Sequence, residues 1–123
     1  MTDSNVVSII GRLTNDCEIS KGSNGNTYGR FSIAVNRSYQ ANGDWHDETS
    51  FFDCSMFSDI CTTKGPYLQK GKRVSIIGSL RQSRWEKDGK KMSKVEILVN
   101  QVQFLDVTNV QKKDEEKKQL YRV

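Results

Sequence analysis

At 123 residues the chain suits a single domain with one hydrophobic core, large enough to fold without a metal or a disulfide framework. With 35% hydrophobic residues, one proline and nine glycines it is neither fibrous nor disordered by composition, and no run approaches the ~20 apolar residues of a membrane helix. The net charge of +4 hides an uneven distribution: residues 1–63 carry four basic and eight acidic side chains, residues 64–94 carry ten and two, and residues 95–123 carry five of each. The central basic block is the kind of field that draws in phosphate backbones.

The opening MTDSNVVSII has neither the basic nor the apolar region of an export signal. Val7, Ile9, Gly11 and Leu13 then share one face of a first strand. In the second, Phe31, Ile33 and Val35 alternate with Arg30, Ser32, Ala34 and Asn36. A polar turn containing Asn42-Gly43-Asp44, over residues 41–48, leads to a third strand. There Phe52, Cys54 and Met56 take the core side, and Phe51, Asp53, Ser55 and Phe57 the wetter side.

Residues 58–71 hold room for one short helix, started by Ser58, ended by Gly71 and interrupted by Pro66. Val74, Ile76, Gly78 and Leu80 form the fourth strand, and Val95, Ile97 and Val99 lie in the fifth, which runs from about residue 92 to 105. The piece SIIGRL at residues 8–13 recurs as SIIGSL at 75–80, and a glycine within each strand suits a sheet that bends to meet itself. Asp88-Gly89 is a strong hairpin signal, so residues 82–94 should form a basic ribbon projecting from the barrel. The expected architecture is all-β: a five-stranded OB-fold barrel over residues 1–106, with one short helix between strands three and four and an extended basic β-hairpin. Residues 107–123 should be a charged, mobile end.

The placement of aromatic side chains points to chemistry. Phe51 and Phe57 fall on the wetter side of the third strand, where a flat ring can stack on a base without reading its identity. Trp85 stands in the basic ribbon, on the same side as Arg81 by alternation and next to Arg84. Tyr39 ends the second strand near Arg37. Arginine both pairs with phosphate and stacks, so Arg37, Arg81 and Arg84 suit a nucleic-acid groove. Each also has an ordinary explanation: Phe51 and Phe57 as interface or under-loop residues, Trp85 as a hairpin stabiliser, and the arginines as solvated. Trp45 reads as a loop-packing residue.

Signals of catalysis are missing. Asp47-Glu48 lies beside a turn without a partner for acid–base or nucleophilic work, and GSNG at residues 22–25 does not continue into a phosphate loop. Cys17, Cys54 and Cys61 are far apart, without a CxxC pair, and His46 is the sole histidine. Reduced thiols and a cytoplasmic location are therefore expected, with no metal site and no cofactor.

The pieces IIGRLTNDCEI, RFSIAVNRSY, DETSFFDCSMF, YLQKGKRVSIIGSLRQSRWEKDG and KVEILV resemble the bacterial single-stranded-DNA-binding proteins, over residues 5–105. The resemblance implies an OB-fold homotetramer that binds and protects single-stranded DNA, without sequence preference, during replication, recombination and repair. It carries the family's stacking aromatics onto Tyr39, Phe51, Phe57 and Trp85 and basic contacts onto Lys70, Arg81 and Arg84. Lys72, Arg30 and Arg37 are added from charge and face. Tryptophan is common in the family where Tyr39 and Phe51 stand, histidine at Phe52, and a basic residue at Asp59. The family's Gly/Gln/Pro-rich linker and acidic tip, which recruit replication and repair proteins, have no counterpart before Val123. This leaves a shortened chain or a tail-less form as alternatives. A dimeric, protein-bridging OB module and an RNA-binding module remain rival readings.

Overall fold

The alternating patterns become six strands: β1 (Val7–Leu13), β2 (Glu18–Lys21), β3 (Thr27–Ala41), β4 (Asp44–Phe57), β5 (Arg73–Lys87) and β6 (Lys90–Phe104). Helix α1 (Asp59–Lys64) and a turn of 3-10 helix (Gly65–Tyr67) separate β4 from β5. This computed structural model describes residues 1–105, so the charged end expected at 107–123 lies outside the described residues. The sheet order is β1-β5-β6-β4-β3-β2, and a further pairing of β1 with β3 closes five of the strands into a barrel. β4 and β6 meet in parallel at Cys54–Ile97 and Ser55–Leu98, and the other pairs are antiparallel.

The barrel interior holds Leu13, Phe31, Ile33, Cys54, Met56, Val74, Ile76, Ile97 and Val99, while Cys61 of α1 and Leu68 plug one end. These are mostly the side chains that alternation assigned inward. Both glycines of the repeated SIIG piece sit where strands press together. A Cβ on Gly11 would lie 2.6 Å from the Ala34 carbonyl oxygen, and one on Gly78 would lie 2.1 Å from that of Leu98. The expected bend is visible as a register shift between Ile77 and Gly78. Removing two side chains lets the sheet curl tightly enough to meet itself.

Some expectations need correction. The run EISK lacks apolar alternation and all four residues are exposed, so β2 gave no periodic signal; it exists because its backbone pairs with β3 from Glu18–Arg30 to Lys21–Thr27. The polar segment at 41–48 is a two-residue turn, Asn42 (φ 54°) and Gly43 (φ 82°), and pairing continues on both sides to Ala41–Asp44. Two successive positive φ angles twist as paired strands do. Trp45 accordingly stands on β4, 71% exposed, and is not packed beneath a loop. Asp88 and Gly89 make the second such turn, as expected.

Ser58 provides no side-chain cap, because its backbone turns to φ 62° and ψ −130°. α1 stops at Gly65, not Gly71, and Pro66 begins the tighter turn. Phe52, Leu80 and Val95 hold inward parity yet are 39%, 50% and 62% exposed, because the long ribbons carry them past the rim of the barrel.

Candidate nucleic-acid interface

The outer face of the β3–β4 ribbon follows from its register. Tyr28, Arg30, Ser32 and Ala34 stand opposite Phe57, Ser55, Asp53 and Phe51. Phe51 is 68% exposed, its ring free for a ligand, whereas Phe57 is half-buried with Tyr28 against it edge-on at 5.1 Å. On the neighbouring β5–β6 ribbon, Arg81, Ser83 and Trp85 stand opposite Glu96, Lys94 and Met92. Trp85 is 43% exposed.

Two contacts join the ribbons into one trough. The Arg81 guanidinium lies 5.6 Å from the centre of the Phe57 ring, a cation–π distance. Lys94 Nζ is 2.8 Å from Asp53 Oδ2, and Ser32 Oγ donates to Asp53 Oδ1 at 2.6 Å. These hydrogen bonds, with that from Lys94 foremost, hold the Asp53 carboxyl below its ordinary range. Between the ribbons a cavity of about 500 Å³ is lined by Arg30, Ser55, Phe57, Arg81, Ser83 and Glu96, among others.

The trough is not uniformly positive. Glu18 and Glu96 share that cavity with Arg30 and Arg81, and Asp53 takes up the charge of Lys94. The basic block in residues 64–94 is therefore divided among several faces instead of forming one stripe. Arg84 lies on the reverse of its ribbon, donating to Gln82 Oε1 at 2.9 Å, so Arg81 and Trp85 share the trough side without it. Lys70 and Lys72 lie in the turn before β5, at the end of the barrel where β1 finishes. The Lys70 amide donates to Asp16 Oδ1 at 2.8 Å and the Lys72 ammonium lies 5.8 Å from the centre of the Phe104 ring.

Tyr39 has the opposite parity to Phe51 and falls on the reverse face of its ribbon. Its ring stacks on His46 at 5.4 Å, and the Arg37 guanidinium lies 4.9 Å from its centre. The trough thus gathers Phe51, Phe57, Trp85, Arg30 and Arg81, while Tyr39, Arg37, Arg84, Lys70 and Lys72 occupy other surfaces. Sequence reasoning missed Tyr28, Lys94, Ser55 and Glu96. Alternation places Tyr28 beside Arg30 and Lys94 beside Trp85, but the burial of Ser55 and Glu96 arises only when the ribbons pack together.

The thiols are inert, although Cys54 lines a small cavity with Arg30, Asp53, Lys94 and Glu96. Burial pushes Cys54 up to about 12 and, helped by nearby Cys61, Cys17 up to about 11; Cys61 is also raised by burial. Such thiols are poor nucleophiles. No cluster of three or more potential metal ligands occurs among the described residues, and no helix there is long and apolar enough to cross a membrane.

Known proteins share this sequence and fold. The profile of the Single-strand binding protein family matches residues 4–105. A Single-stranded DNA-binding protein of Treponema pallidum is 45% identical over 105 residues, which is 85% of this chain and 60% of that protein. One of Borreliella burgdorferi is 42% identical over 106 residues, 85% of this chain and 71% of that protein. Among solved structures, a Plasmodium falciparum SSB complex with ssDNA aligns with a TM-score of 0.79 at 24% identity, covering 86% of this chain and 98% of that one. A deletion mutant of the single-stranded DNA binding protein from Thermus aquaticus aligns at 0.76 with 23% identity, covering 84% and 51%. These two structural likenesses speak for the barrel.

Proposed function

The chain belongs to the single-strand binding protein family, and on that premise we propose that it binds and protects single-stranded DNA without turnover, during replication, recombination and repair. The observation that carries the mechanism is the pair of exposed rings, Phe51 and Trp85, on the two ribbons whose Arg81–Phe57 and Lys94–Asp53 contacts build the trough. Unstacked bases lie on the rings, each stack worth ~1–3 kcal/mol, while Arg30 and Arg81 draw in the backbone. Because stacking needs only a π-face, most of the grip is indifferent to sequence.

Tyr39, on the reverse face beneath Arg37, provides a second stacking surface for a strand that passes around the ribbon edge. Arg84, Lys70 and Lys72 extend the path as phosphate contacts. The chain acts as an oligomer, most simply a homotetramer. Exposed apolar side chains outside the trough, among them Ile10, Ile77, Leu80 and Val95, support that assembly, since a partner copy would cover them. Free Cys54 and Cys61, buried as thiols, fit work in the cytoplasm on the nucleoid. Partner proteins of replication and repair belong to the same reading.

The test combines mass measurement in solution with fluorescence titration by oligothymidine at two salt concentrations, beside a matched RNA oligomer. A tetrameric mass, quenching of tryptophan emission and affinity falling with salt are expected. Equal or tighter binding of RNA, or no quenching at low salt, would sink the reading.

A further inference from the structure

A trough suited to a polyanion would keep its lysines free, yet one of them already holds an anion of the protein's own. Lys94 stands opposite Ser83 on the β5–β6 ribbon, one rank nearer the barrel than the Trp85–Met92 pair. Across the gap, Asp53 is likewise one rank inward from Phe51 on the outer face of β4. The link between them therefore lies beside both exposed rings, where a strand stacked on Phe51 and Trp85 would carry its phosphates. Lys94 Nζ is 2.8 Å from Asp53 Oδ2, and Ser32 Oγ donates to Oδ1 at 2.6 Å, so both carboxylate oxygens engage donors that could serve a phosphate. Arg30 lines the same small cavity, of about 170 Å³, and its charge acts on Asp53 as well. The side chains of Lys94 and Asp53 are 39% and 52% exposed, so the pair stands in reach of an incoming anion.

We propose that Asp53 is a built-in competitor of the DNA backbone, whose carboxylate holds Lys94 and denies it to the phosphates of a bound strand. This rests on the single-stranded-DNA-binding reading and names a residue that sets how tightly the strand is held. Carboxylate and phosphodiester oxygens make the same kind of charge-assisted hydrogen bond to an ammonium group. Exchanging one for the other gains little, and it would leave Asp53 an unpaired anion beside the phosphate, fixed there by Ser32. Lys94 accordingly neutralises no phosphate and releases no counterion. The rings still stack on the bases, but the backbone is held by one cation fewer, and the strand is released more readily.

The experiment measures dissociation constants for one oligothymidine by fluorescence anisotropy over a series of salt concentrations. The wild type, Asp53→Asn, Lys94→Ala and the double variant are compared. Asparagine keeps the shape of the side chain and can still accept from Ser32, so only the charge is lost; thermal melts check that the fold is kept. Asp53→Asn is expected to bind about fivefold tighter near about 0.1 M salt, with a log–log salt slope about 0.7 steeper, as for one more neutralised phosphate. In the Lys94→Ala background the same substitution should leave the slope unchanged, because no lysine is there to be released. No gain in affinity, or a slope steepened equally with and without Lys94, would overturn the competitor and leave the binding reading intact. So would a slope that Asp53→Asn does not change. A wild type without affinity for the oligomer at any salt concentration would overturn both.

Discussion

Asp53 places a carboxylate on the face that also presents Phe51, and it persists there because Lys94 and Ser32 hold it. The hydrogen bond from Lys94 is the leading cause of its lowered titration, followed by that from Ser32. Its folded value lies below the ordinary 3.8, so the stabilisation from the pair is present above the unfolded value and is lost as pH falls through the folded one. With the Asp53 side chain 52% exposed, solvent screens the pair. Replacing Lys94 with alanine should move the Asp53 titration up towards 3.8, readable from its carboxyl carbon by NMR. A midpoint that did not move would assign the shift to Ser32 instead. At this scale the sequence was partly legible: alternation puts Asp53 on the wet face, but its partner lies 41 residues away on another ribbon.

Each long ribbon has two faces, and on the proposed reading the face decides which positive charges meet a bound strand. Along β5, Arg81, Ser83 and Trp85 point to the trough, while Gln82 and Arg84 point away. Arg81→Ala should therefore weaken oligothymidine binding more than Arg84→Ala and should reduce the salt dependence by about 0.7 in log–log slope per lost phosphate contact. If Arg84→Ala proved the costlier change, the strand would follow the reverse of the ribbon. The β5–β6 hairpin was read from Asp88-Gly89, whereas Asn42-Gly43, which turns through the same two positive φ angles, was taken into a longer polar turn. β2 was not legible, because EISK is exposed throughout and is a strand only by virtue of the β3 backbone beside it.

Closure of the barrel depends on places where backbones approach without an intervening side chain. Gly78 is one: an added Cβ would sit 2.1 Å from the Leu98 carbonyl oxygen, and that neighbour is backbone that cannot turn aside. Gly78→Ala should destabilise the fold by about 1–3 kcal/mol or more, through displacement of β6 against β5. Gly25→Ala offers the contrast, because its Cβ would meet nothing within 4 Å and only its φ of +82° opposes the change. Thermal melts of the two variants should differ clearly, with Gly78→Ala the lower. Similar melting temperatures would mean that the sheet relaxes around Gly78 at little cost.

The amino-acid pattern alone determined the all-β class, the inward set around Phe31, Ile33, Cys54 and Met56, the Asp88-Gly89 hairpin turn and the exposed ring of Phe51. Each depends on alternation or turn chemistry, which act within a few residues of chain. Tertiary structure alone decided that Ser55 and Glu96 are buried together and that Lys94 meets Asp53. Burial and pairing of that kind arise when ribbons distant in the chain pack across one another, and the period-2 signal of a single strand contains no record of which ribbon will lie over it.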